Sequence, residues 1–167
     1  MTFQPIIPMT GYAGWSFLTR TAERQQAAFT ESAPVKRATD YFRENIAKAT
    51  TAEALVNDRQ LLQVALGAFG LDDDINARAF IRKVLEDGTI KEDALSSRLA
   101  DKRYAQLAFT FGYGNVGPRV NLTGFAEDMI ARYESRQFEI AVGEQDGAMR
   151  QALNFSSALD DVLKAID

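Results

Sequence analysis

At 167 residues, with 46% apolar and 25% charged side chains, the chain has the size and composition of one globular domain with one core. It contains no cysteine and no histidine, which excludes disulfides, thiolate nucleophiles and imidazole- or thiolate-ligated metals, and removes the commonest general base. A net charge of −4 argues against a nucleic-acid partner, and no apolar run approaches the roughly eighteen residues of a membrane span.

Residues 1–19, MTFQPIIPMTGYAGWSFLT, carry no charge. Pro5 and Pro8 keep Phe3–Met9 extended, and without a basic leader the stretch makes a poor signal peptide. Residues 1–14 read as an uncharged N-terminal arm, and residues 15–167 as a single helical domain. The arm is expected to lie in a groove of its own domain or of a partner, or to serve as an export address. Solvated tails are polar, so Phe3, Ile6, Ile7, Met9, Tyr12 and Trp15 should have a surface to cover. Phe3, Ile6, Ile7 and Trp15 are candidate partner contacts.

From Trp15 the period is helical, with Leu18, Ala22 and Phe29 on the same face. Ser32 offers an N-cap before Pro34, and Val35, Ala38, Phe42, Ile46 and Ala49 form a second stripe. Thr50-x-x-Glu53 reads as a capping box for a short third segment. Residues 58–69 are apolar nearly all round, as a central helix would be, with Gly70 as its left-handed terminator and Leu71 folding back. In LDDD, 71–74, Asp73 or Asp74 should cap the next helix, because the closing glutamate and turn glycine of a calcium loop are missing.

That helix turns Ala77, Phe80, Ile81, Val84 and Leu85 inward and stops at Gly88. Thr89-x-x-Glu92 is a second capping box before Leu95 and Leu99, and Asp101 can cap a helix bearing Tyr104, Leu107, Ala108 and Phe111. A long helix is expected from about Thr123 to Val142, then a short piece at 148–153. A last helix follows with Phe155, Leu159, Val162, Leu163 and Ile166 on one side. No segment alternates as a strand would. The fold class is all-α, a single-domain irregular bundle of about seven to nine helices.

GYGNVG, 112–117, matches Gly-x-Gly-x-x-Gly, yet a helix precedes it where a nucleotide fingerprint needs a strand, and Pro118 follows it. Gly112 is better explained as a helix terminator, and the remainder as a mobile turn within a glycine-rich loop at 112–122. Such a loop is long for a compact helical domain. It reads as a surface connection or as a partner-contact loop, with Tyr113 and Arg119 the candidate contacts. Lys102 and Arg103 beside Asp101 read as a solvated helix face. Residues 58–70 and 101–112 echo each other, by duplication of a hairpin or by shared cap chemistry.

The stretches YFRENIAKATTAEALVNDRQLLQVALGAFGLDDD, AFIRKVLEDG, SRLADKRYAQLAF and, more loosely, ARYESRQFEIAVGEQDGAMRQAL span residues 41–153. In them the chain resembles an alphaproteobacterial domain-of-unknown-function family (number twelve-seventeen). Its members are often encoded among flagellar genes, which implies an accessory or structural role and supplies no catalytic motif to transfer. The resulting expectation is a non-catalytic helical interaction or structural module, without cofactor, metal or catalytic residues. It would have a protein partner, no nucleic acid and no membrane insertion. Its expected place is the cytoplasm, with export through a flagellar-type pathway left open. The alternative is a small-molecule-binding protein or enzyme with a pocket lined by Tyr104, Tyr113 and Tyr133 with Arg119 or Arg132.

Overall fold

Leu61, Leu62, Val64, Ala65 and Leu66, interrupted only by Gln63, leave little polar face, so the helix that carries them must be largely buried. The computed structural model describes residues 3–166, and among them every regular element is helical. The chain forms two compact units, residues 36–133 and residues 1–35 with 134–167. The unit boundaries fall within helices α2 (Ala33–Asn45) and α8 (Phe125–Gln145). Met1, Thr2 and Asp167, at the ends of the expected arm and domain, lie outside the described residues, as does the Ile166 side chain.

Within residues 36–133, α4 (Arg59–Gly67) buries all five of those residues, each contributing roughly 1.5–3 kcal/mol for Leu or Val. It opens on Asp58, whose Oδ1 accepts from the N–H groups of Gln60 and Leu61, both at 3.1 Å. It ends as the sequence predicts. Gly70 has φ +69°, and the Leu71 N–H returns 3.0 Å to the Leu66 carbonyl, a Schellman closure that buries Leu71. Around α4 pack α3 (Ala52–Asn57) and the 3-10 turn Asp72–Asn76. Helix α5 (Arg78–Asp87) packs on α3, α6 (Leu95–Arg98) and α7 (Arg103–Phe111). Ile81, Val84 and Leu85 of α5 and Leu107, Ala108 and Phe111 of α7 are buried. Phe80 meets Tyr104 edge to face at 5.2 Å.

Several local assignments shift. Thr51, not Thr50, caps α3, its Oγ1 accepting from Ala54 N at 3.1 Å. Neither Asp73 nor Asp74 caps α5, which starts after Ala77 without a side-chain cap. The aspartates lie in the 3-10 turn, and Asp74 Oδ2 accepts from the Tyr104 hydroxyl at 2.7 Å. Thr89 and Glu92 form no capping box, because Thr89 is held by Asn115 and α6 begins at Leu95. Ser32 precedes α2, but its hydroxyl donates back to the Phe29 carbonyl at 2.6 Å.

The other unit contains α1 (Gly11–Thr30), the end of α8, and α9 (Gly147–Ile166). Helix α1 opens four residues before Trp15, and α8 runs from Phe125 to Gln145 rather than from Thr123 to Val142. Residues 148–153 are not a separate piece, since α9 is continuous through them. Asp146 makes the corner: its Oδ1 accepts from Ala148 N at 2.9 Å and from Met149 N at 3.2 Å. Leu18, Phe29, Phe138, Val142 and Met149 are buried, with Phe29 edge-on to Phe138 at 5.8 Å.

Candidate functional site

Helix α9 is amphipathic, and its apolar stripe faces solvent. Phe155, Leu159, Val162 and Leu163 stand at i, i+4, i+7 and i+8, on one face at helical spacing. Their exposures are 70%, 44%, 56% and 57%. Asn154 and Ser157 of the same helix are turned toward α8, as is the buried side of the helix at Met149. Arg136 Nη1 donates to Asn154 Oδ1 at 3.2 Å, and Ser157 Oγ donates to Glu139 Oε1 at 3.0 Å. Glu139 is buried, 3.7 Å from the Arg136 guanidinium. The stripe itself was legible in the sequence; which way it points was not, because only the partners of Asn154 and Ser157 orient the helix.

The arm lies on its own unit. Gln25, buried on α1, grips both backbone polar groups of one arm residue. The Ile6 N–H donates to Gln25 Oε1 at 2.6 Å, and Gln25 Nε2 donates to the Ile6 carbonyl at 3.0 Å. Thr21 steadies the amide, its Oγ1 accepting from Gln25 Nε2 at 2.8 Å while donating to the Phe17 carbonyl. At the arm's other end the Met9 carbonyl lies against Gly14, where a Cβ would come within 1.8 Å of it. Residues 6 to 9 therefore run antiparallel to α1. Of the candidate contacts, Phe3, Ile7 and Trp15 are half-buried and Ile6 is exposed, as are Met9 and Tyr12.

Tyr113 and Arg119 share the glycine loop within residues 36–133. Gly112 ends α7 with φ +76°, and the loop is a clip rather than a mobile turn. Gly114 sits so close to the end of α5 that a Cβ would fall 2.3 Å from Gly88 N and 2.4 Å from the Glu86 carbonyl. Asn115 Oδ1 accepts from Thr89 N at 2.8 Å, and its amide nitrogen donates to Thr89 Oγ1 at 3.1 Å. The Tyr113 hydroxyl donates to the Ala49 carbonyl. Arg119 is half-buried, its guanidinium 5.2 Å over the exposed Phe109 ring.

The tyrosines of the alternative reading are committed to the fold. The hydrogen bond to Asp74 pushes the Tyr104 phenol up to about 12, and burial raises those of Tyr113 and Tyr133. All three stay protonated at neutral pH. Arg132 stacks 5.7 Å from the Phe69 ring. A polar surface cavity of about 340 Å³ is lined by Lys83, Asp87, Lys91, Asp93, Leu95 and Arg98. Its carboxylate at Asp87 is engaged by Lys83 Nζ at 2.7 Å and by the Leu95 N–H, which hold it below its ordinary range. Among the described residues no group of three or more acidic side chains is placed to hold a metal.

The model of the family described as a protein of unknown function (DUF1217) matches residues 68–167. The chain belongs to that family. It is similar to the crystal structure of protein AGR_C_984 from Agrobacterium tumefaciens, with 28% identity and a TM-score of 0.78 over 91% of this chain and 69% of that one. No curated protein matches it. No described helix is long and apolar enough to cross a membrane.

Proposed function

We propose that the chain is a non-catalytic helical interaction module whose docking surface is the outward apolar face of α9. The observation that carries this is the bare stripe of α9: Phe155, Leu159, Val162 and Leu163 are in water, while Asn154 and Ser157 bond to α8. Exposed apolar surface of this kind marks association sites. The resemblance noted in the sequence supports placing the module among the accessory or structural proteins of the flagellum. Tagged wild-type chain and Leu159→Asp, each captured from the native cell, test the reading. Proteins retained by the wild type should be lost from the variant. Identical sets from both would refute a role for α9.

A further inference from the structure

Residues 3–9 of the arm are seated on α1 as a bound peptide would be. Their side chains alternate: Phe3 and Ile7 are half-buried and Pro5 is buried, while Gln4, Ile6 and Pro8 are exposed. A period of two is that of an extended chain lying on a surface. We propose that this seat is a peptide groove and that residues 3–9 are its resident occupant. The strap yields to an extended, uncharged segment of another protein, one with apolar side chains two residues to either side of a proline.

The seat reads backbone. Gln25 Oε1 accepts from the Ile6 N–H at 2.6 Å and Gln25 Nε2 donates to the Ile6 carbonyl at 3.0 Å, while the Ile6 side chain is 59% exposed. One side-chain amide thus supplies the donor and acceptor that a sheet edge offers to an extended peptide. Such a grip fixes conformation and leaves the gripped residue free to vary. Selectivity falls to the inward positions 3, 5 and 7, and Pro5 also presets the extended backbone.

The seat is preorganised. Thr21 Oγ1 accepts from Gln25 Nε2 at 2.8 Å and donates to the Phe17 carbonyl at 2.8 Å. Both bonds lie within α1, so they persist when the arm lifts, and an incoming segment meets an amide already aimed. The strap itself is lightly held. Among residues 3–10 Pro5 alone is buried, and segments with few buried contacts open first.

Tethering sets the strength of the competition. A short flexible link gives the strap an effective concentration of order millimolar. A free copy of its own sequence must reach about that level to displace half of it. A natural occupant must therefore bind more tightly than the strap or be held nearby.

With no native cysteine, a nitroxide on Gln4→Cys, an exposed position, reports the strap alone in the full chain. Without peptide the label should be restricted. Adding the peptide FQPIIPMT, residues 3–10 with two C-terminal lysines for solubility, should convert it saturably to the spectrum of a free tail, about half of it at a few millimolar. The same peptide with Ile6→Ser should displace equally well, and with Pro5→Asp it should not displace. Gln25→Ala in the labelled chain should free the strap without peptide, with circular dichroism unchanged. A label still restricted at about 10 mM peptide would overturn the proposal and make the arm a fixed part of the fold. So would a Pro5→Asp peptide that displaces like the parent, an Ile6→Ser peptide that fails, or a label already free before peptide is added. The titration uses a chain that keeps Gln25, so it decides the matter even where Gln25→Ala does not fold. A folded Gln25→Ala chain whose label stays restricted would refute the grip.

Discussion

Helices α5 and α9 carry the same kind of stripe and use it in opposite ways. In α5, Ile81, Val84 and Leu85 are removed from water, and its outer face is stitched by ion pairs such as Arg82 to Glu86 and Lys83 to Asp87. In α9 the apolar stripe is outside, and the polar bonds point inward to Arg136 and Glu139. Amphipathicity says that a face will be covered. It does not say by what. The two helices should therefore answer differently to mutation: inward faces through stability, the outward face through association.

The largest effect is expected at α4. Leu66→Ala removes a side chain with no exposure and should lower unfolding free energy by about 2–5 kcal/mol, read from the denaturant midpoint. A loss well under 1 kcal/mol would mean that α4 is not central, and the contrast with α9 would collapse. Next, Gly70→Val places a β-branched residue at φ +69° and should cost about 1–2 kcal/mol from chirality alone. An unchanged melting temperature would show that the Schellman closure does not anchor Leu71.

These helix ends show what the sequence makes legible. A cap is local chemistry, so Gly70 and Gly112 could be assigned from spacing alone. The 3-10 turn at Asp72–Asn76 and the brevity of α6 could not, because their decisive bonds are remote. Asp74 is engaged by Tyr104, thirty residues on, and Thr89 by Asn115, twenty-six residues on. The glycine loop looked mobile for the same reason; its clip against α5 appears only when Gly114 meets Gly88 in space. At the surface, the arm was recognisable from its missing charge, but its seat on Gln25 spans nineteen residues that no periodicity links.

The arm tests a middle case, a surface strap held mainly by one side chain. Gln25→Ala removes both bonds to the Ile6 backbone and should cost about 1–2 kcal/mol. Deleting residues 1–10 should destabilise in the same direction while leaving partner capture intact. A truncation that leaves stability unchanged but abolishes capture would make the arm, not α9, the contact surface. The smallest stability effect is expected on the outward face, where Phe155→Ser should change unfolding free energy by no more than about 0.5 kcal/mol. A larger loss would show that the stripe is already covered within the molecule.

The central claim, that the face around Leu159 is a covered docking surface in the cell and a bare one in the isolated chain, is tested by thiol labelling of Leu159→Cys. With no other cysteine present, the labelling rate reports that position alone. In dilute purified protein it should be fast, near that of an exposed thiol. In the native cell it should fall at least tenfold relative to an exposed control site on the same chain, such as Ala47→Cys. Equal rates at the two sites in the cell would contradict the account.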